Sequence, residues 1–220
     1  LDERKLLTDD LKTKIGKAET MAVLEDLFAP FRPKRRTRAT IAKEKGLEPL
    51  ADWIVENQEN RSADPLVEAE KYVVAAVPDA PAPLPDAPPT PATSTAEALA
   101  GARDILAERI SDAAEARAAI RKLIAEQATV SSKIMFGKEK DAEAAKFRDY
   151  FDWSEPLKSI PSHRMLAIRR GEKEGFLMMR INPPEAEAFR ILEAQFVKGN
   201  TACSKQMTEA VQDSYKRLLS

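Results

Sequence analysis

The residues best suited to chemistry fall in four places, and the densest is a basic run. In Arg32-Pro-Lys-Arg-Arg-Thr-Arg38 five of seven side chains are cationic, and Phe28 and Phe31 lie just upstream. Lysine and arginine in an extended, proline-bounded segment can follow a phosphate backbone, and each neutralised phosphate releases counterions. Nearby aromatic rings can stack on bases. Arg32, Lys34, Arg35, Arg36 and Arg38 are therefore the candidate nucleic-acid-binding residues. The same arginines can instead pair with carboxylates on neighbouring helices and pin a loop, because the planar guanidinium holds a carboxylate in fixed geometry.

A second place is Lys146-Phe-Arg-Asp-Tyr-Phe-Asp-Trp-Ser-Glu155, where Asp149, Asp152 and Glu155 recur every third residue. Hard oxygen ligands could hold magnesium. The large aromatics between them read instead as core, with the carboxylates capping turns or pairing with arginine. The third is His163, the sole histidine, and the fourth is Cys203, the sole cysteine. A nucleophile–histidine pair would have to use His163. Its setting, Pro161-Ser162-His163-Arg164, reads more simply as a helix start with local capping. Cys203 lies in a helical pattern and is expected to be buried and inert. No phosphate-cradling glycine loop, dinucleotide fingerprint, zinc spacing or nucleophile elbow occurs. The expectation is a protein with no catalytic centre, metal or cofactor.

The elements that must position these residues are mostly helices. Charged residues make up 32% of the chain and aromatics only 6%, with glycine scarce, a balance that favours helix. Apolar residues recur at helical spacing through Leu6–Ile15 and Val23–Phe28, with Gly16 as a break. Thr37 is placed to cap a short helix ending at Gly46, Pro49 to open the next, and Asp64-Pro65 another. Ser94 with Glu97 reads as a capping box, and Ser111 as the cap of the helix after it. Pro161 and Gly171 bracket a helix, and two more are expected over about 184–197 and 201–219. Only Thr129–Phe136 and Phe176–Ile181 read as strands.

Residues 78–94 differ in kind, with seven prolines among alanine, aspartate and threonine. This is a semi-rigid spacer or loop rather than helix or central strand. An alternative use, as a ligand for a proline-binding groove, is open to it. The expected fold is mainly α, a multi-helix scaffold over residues 1–220 with a small two-stranded β element and the Pro-rich loop as an excursion from it. Neither side of the loop is rich enough in large apolar side chains to stand alone.

With net charge −1, any anionic partner must be met by a local patch. One cysteine excludes an intramolecular disulfide and suits a reducing compartment. No apolar run reaches the roughly 18 residues of a membrane span, and no signal peptide is visible. A start at Leu1 and an end in strong helical pattern read as cuts in a longer protein.

Several blocks then resemble one family. Leu24-EDLFAPFRPKRRTRATIAKEKGLEPL-Ala51, Ala102–Arg117, Ser132-Lys133, Lys146-FRDYFDWSEPLKSIPSHRMLAIRRGEKEGF-Leu177 and Gln212–Leu219 are similar, in order, to the N-terminal part of the bacterial Tex transcription accessory family. The resemblance implies a cytoplasmic protein that binds nucleic acid and acts alongside transcription. It also implies a longer architecture with a ribonuclease-H-like domain, helix-hairpin-helix elements and an OB-fold, none of which matches this chain. It carries over no catalytic residue. The function expected is a helical scaffold region of an RNA- or DNA-binding transcription accessory protein, with RNA polymerase or another factor as a possible partner. Two rivals stand beside it. A protein-interaction module would expose an apolar patch around Phe28 and Phe31. A metal-dependent nuclease would use Asp149, Asp152 and Glu155.

Overall fold

Helix starts here are set by short polar side chains that satisfy the first free amide groups of each helix. The computed structural model describes residues 7–28, 31, 36–74 and 90–219. Thr8 accepts from Leu11 N–H at 3.2 Å and opens α1 (Asp9–Gly16). Thr20 accepts from Val23 N–H ahead of α2 (Met21–Phe28). Thr37 opens α3 (Arg38–Glu44), and Asp64 opens α5 (Pro65–Glu70). Between them α4 (Glu48–Glu56) starts on Pro49 without a side-chain cap. Ser94 opens α6 (Thr95–Asp112), but Glu97 does not close the reciprocal box on it. Its Oε2 takes the Thr93 N–H at 2.8 Å and its Oε1 takes Lys45 Nζ at 2.5 Å. Ser111 also departs from expectation: its Oγ donates back to Glu108 O, so it closes α6 instead of capping α7 (Ala114–Gln127). A serine in a last turn can satisfy itself on the carbonyl three residues back.

The chain divides into two units, residues 1–118 with 189–220, and residues 119–188. In the first, α6 is the axis, with α3, α4, α5 and α10 (Ala202–Ser214) packed on it. Leu47, Leu50, Ile54, Ile105, Leu106 and Leu192 are among its fully buried side chains. The approach of α3 and α6 is close because small residues meet there. A Cβ on Gly101 would lie 2.4 Å from Leu47 Cδ1 and 3.3 Å from Ala42 Cβ. Most of the Pro-rich segment, residues 75–89, lies outside the described residues. Its flanks meet in a bridge between Val73 and Ala92, where Val74 N–H donates to Ala92 O at 2.9 Å. That bridge returns the chain from α5 to α6.

The start of α10 is held by the turn after α4. Gln58 O accepts both Thr201 Oγ1 and Ser204 Oγ at 2.8 Å, and Gln58 Oε1 accepts Lys198 N–H. Gly199 passes this turn with φ +66, where a Cβ would stand 2.9 Å from Gln58 O. After α10 the chain widens into a π turn over Tyr215–Leu219, with the Tyr215 ring edge-on to Phe189 of α9 (Glu185–Phe196).

The second unit holds the sheet. Its strands are β1 (Thr129–Ile134), β2 (Asp152–Pro156) and β3 (Leu177–Asn182), in the order β2-β1-β3 and antiparallel throughout. The fold is mainly α, as expected, and the two expected strands do pair. The sheet has three strands, however, not two, because part of the acidic–aromatic stretch is strand: Trp153 and Glu155 alternate with exposed Asp152 and Ser154. A 3-10 helix (Glu143–Tyr150) and α8 (Ser162–Lys173) cover one face, with Phe147, Ile168, Phe176 and Leu177 at the centre. Gly171 does not end α8. It sits buried inside the helix, where a Cβ would meet Leu177 Cδ1 at 2.6 Å. The turn out of α8 is made at Gly175, with φ +76.

Gly101→Ala and Gly171→Ala should each cost about 1–3 kcal/mol in urea unfolding, since overfilled cores strain their neighbours. Gly16→Ala, where nothing lies within 4 Å of the new methyl, should be neutral or stabilising. Equal effects from all three would refute the close-approach argument.

Candidate nucleic-acid interface

The basic run ends where α3 begins, and the structure separates its members. Arg36 Nη2 lies 2.8 Å from Glu44 Oε2, so this arginine clamps the segment to its own helix. Thr37 caps α3 and donates to Glu108 Oε1 of α6 at 3.0 Å, fixing the segment's exit. Arg38 is exposed on the first turn of α3 and has no ion-pair partner among the described residues. It lines a concavity of about 190 Å³ together with Ile41, Lys45, Leu47, Glu97 and Asp104. Arg32, Lys34 and Arg35 lie outside the described residues.

Charge around Arg38 is largely balanced. Lys45 is taken by Glu97, and Asp104 lies 3.2 Å from Arg217. Burial pushes the Asp104 carboxyl above its ordinary value, against the opposing pull of Arg217. The Lys45 ammonium and the Thr93 amide hold Glu97 down at about 2. Arg36 is thus paired with a carboxylate of α3, while Arg38 faces solvent.

The acidic–aromatic stretch is not one constellation. Asp152 and Glu155 lie three apart on a strand and so project to opposite faces. Glu155 is paired with Arg164 of α8, whose guanidinium stands 6.0 Å over Trp153. Tyr150 and Trp153 meet edge to face, and Phe147 is buried. Among the described residues no group of three or more His, Cys, Asp or Glu side chains is placed to hold a metal. His163 is exposed in the first turn of α8, where Pro161 is the N-cap and neither Ser162 nor His163 supplies the cap expected of them. Cys203 is fully buried in α10, and burial raises its thiol. Among the described residues no helix is long and apolar enough to cross a membrane.

The sequence reading missed the outer face of the sheet, where Lys133 of β1 stands opposite Met178 of β3 and Ser131 opposite Arg180. The available signal was the alternation through Asp152–Glu155, hidden there by the aromatic run.

A helical unit cross-braced by ion pairs, joined in sequence to a small unit with a three-stranded antiparallel sheet, defines a mainly α class of protein. The chain belongs to the Tex family: the Tex central region-like family model matches residues 60–217. It is 45% identical over 177 residues to the protein tex of Bordetella pertussis, covering 80% of this chain and 20% of that protein. It is 35% identical over 223 residues to the Bacillus subtilis protein YdcI, covering 99% of this chain and 28% of the relative. A Neisseria gonorrhoeae relative, named transcriptional accessory protein Tex, is 40% identical over 177 residues, 80% of this chain and 21% of its own. The chain thus spans between a fifth and just over a quarter of these relatives.

Glu97 gives a pH test. Its folded pKa is depressed from 4.5 to about 2, so its contribution is present above pH 4.5 and is lost as pH falls toward 2. The side chain is 38% exposed, so solvent screening reduces the effect to about 1 kcal/mol. Glu97→Gln should therefore lower stability by about that much at pH 7, and the gap to the parent chain should close by pH 2. A gap that stays constant would show that the Lys45 pair contributes nothing.

Proposed function

We propose that this chain is a helical scaffold region of a nucleic-acid-binding transcription accessory protein that works in the cytoplasm and has no catalytic centre in this region. The observation that carries the reading is the bracing of α6. Arg109 of this helix reaches Glu48 at 3.0 Å and Asp52 at 2.5 Å on α4, and Arg103 reaches Glu209 at 2.9 Å on α10. Asp104 meets Arg217, and Glu97 meets Lys45. Each surface pair contributes little alone, but a network with fixed geometry resists deformation. Such a frame suits a region that positions other parts of a protein several times its length. The transcription role rests on the name of the gonococcal relative. RNA or DNA would be engaged by the full-length protein, with Arg32, Lys34, Arg35, Arg36 and Arg38 as the contact carried by this region.

A second reading has its own observation. Ile15, Met21, Leu24 and Phe28 line an apolar concavity of about 320 Å³ between α1 and α2, and Met21 is 70% exposed. This favours docking of a protein such as RNA polymerase or another transcription factor.

Fluorescence anisotropy with labelled single-stranded RNA and duplex DNA, across a salt series, separates the two. On the first reading the chain binds, weakens steeply with salt, and loses about tenfold or more when the five basic residues become alanine. Salt-independent behaviour without binding, by chains that circular dichroism shows to be folded, would leave protein docking as the surviving reading.

A further inference from the structure

Between α6 and α7 the chain bends at a single residue. Ala113 is extended, with φ −65 and ψ 124, and is at once the C-cap of α6 and the residue before α7. Nothing in the local sequence asks for a bend there. Five of the seven residues 113–119 are alanine, and neither glycine nor proline occurs from Ala102 to Phe136. Alanine is the best helix former and one of the poorest N-caps. Local preference therefore favours one unbroken helix through this point.

The bend leaves helix amides unused. Ala113 N–H closes α6 on Arg109 O and Ile110 O, and α7 begins its own bonding with Arg117 N–H on Ala113 O at 3.2 Å. Among the described residues the N–H groups of Ala114, Glu115 and Ala116 have no acceptor, as at any uncapped helix start. In an unbroken helix they would donate to the carbonyls four residues back, those of Ile110, Ser111 and Asp112.

One side chain offsets this loss. Arg117 Nε donates to Ser111 O at 2.6 Å, the carbonyl that Glu115 N–H would take in an unbroken helix. Its Nη2 donates to Asp112 Oδ1 at 3.4 Å, and its Nη1 lies 4.0 Å from Oδ1 of the buried Asp26 on α2. The fixed fork of the guanidinium lets it serve a carbonyl and two carboxylates at once. Ser111 Oγ turns back to Glu108 O and gives α7 no cap. Ser111 O therefore has two competing donors, Arg117 Nε in the bent chain and Glu115 N–H in a straight one. A segment with two such bonding schemes responds to whatever favours one donor over the other.

We propose that Arg117 is a latch and that the joint between α6 and α7 is a two-state element. With the guanidinium on Ser111 O the chain bends at Ala113. With the guanidinium withdrawn, the carbonyls of Ile110, Ser111 and Asp112 take the three free amides and α6 runs unbroken into α7. Through Asp26 the latch is tied to α2, one wall of the apolar concavity described above. This goes beyond the scaffold reading, since it gives a braced helix one adjustable joint.

Amide hydrogen exchange on the whole chain, read residue by residue by NMR, tests this. Arg117→Met keeps an aliphatic stem and removes the fork. The amides of Glu115 and Ala116 should then exchange about threefold more slowly or better, which corresponds to about two-thirds of the molecules being unbroken at Ala113. A merely structural role has the opposite sign, because loss of a stabilising contact speeds exchange. Ala114→Pro acts as a lock. Proline suits the first position of a helix after an extended residue, but inside an unbroken helix its ring strikes the carbonyl four residues back. Alone it should raise the thermal midpoint by about 1–4 °C. Combined with Arg117→Met it should return both amides to the parent rates. Arg117→Lys keeps stem and charge without the fork, and it should slow the same amides even if Arg117→Met fails to fold. Unchanged or faster exchange at Glu115 and Ala116 in a folded Arg117 variant would overturn the proposal, as would slowing that persists in the double variant.

Discussion

Close approach along α6 is the constraint on which the first unit depends. Ala98, Ala102 and Ala107 are buried on this helix, and Gly101 leaves room for Leu47. Small side chains let α3 and its following turn sit against α6, and Ala39 and Ala42 answer from the other side. Interiors are packed to crystal-like density, so a methyl group at such a contact must displace something. Leu47, Leu50 and Ile54 fill the space that remains, each with no measurable exposure. The apolar contribution is modest per residue because alanine buries little area. The contact therefore relies on shape as much as on hydrophobic transfer.

Polar groups secure what the small residues leave weak. Gln58 is buried, and its main-chain and side-chain oxygens accept from Thr201, Ser204 and Lys198. A buried amide left unpaired would cost about 1–3 kcal/mol, so this turn and the start of α10 are tied to one geometry. Around the rim, Arg103, Arg109 and Arg217 bridge helices that are distant in sequence. The basic run joins the same system through Arg36 and Thr37.

The second unit is organised differently. Its core is aromatic, with Phe147 and Phe176 rings 6.0 Å apart and Lys146 over both. One sheet face is committed to this core, and the other carries Ser131, Lys133, Met178, Arg180 and Asn182. A sheet with one open face can carry polar chemistry without disturbing its packing, because alternate residues serve the two sides independently. The Tex family assignment covers both units, and the longer relatives continue well beyond them.

Local signals in the sequence determined the helical class, most helix starts, and the central strand and one edge strand of the sheet. Thr37, Pro49, Asp64 and Ser94 act within three residues of themselves, so their roles are legible without a fold. The family was legible too, in the blocks around Phe31 and Trp153. Contacts across many residues were not. Whether Glu97 would close on Ser94 or turn to Lys45 depended on α3 lying nearby. Whether Gly171 would end α8 or admit Leu177 depended on β3 crossing that helix. The third strand was hidden because Trp153 satisfies both an aromatic-core pattern and a strand alternation, and only pairing with β1 distinguishes them. Likewise, which cations remain unpaired was decided by tertiary structure alone. An ion pair needs its carboxylate within about 4 Å, and that distance is set by packing between elements, not by position along the chain.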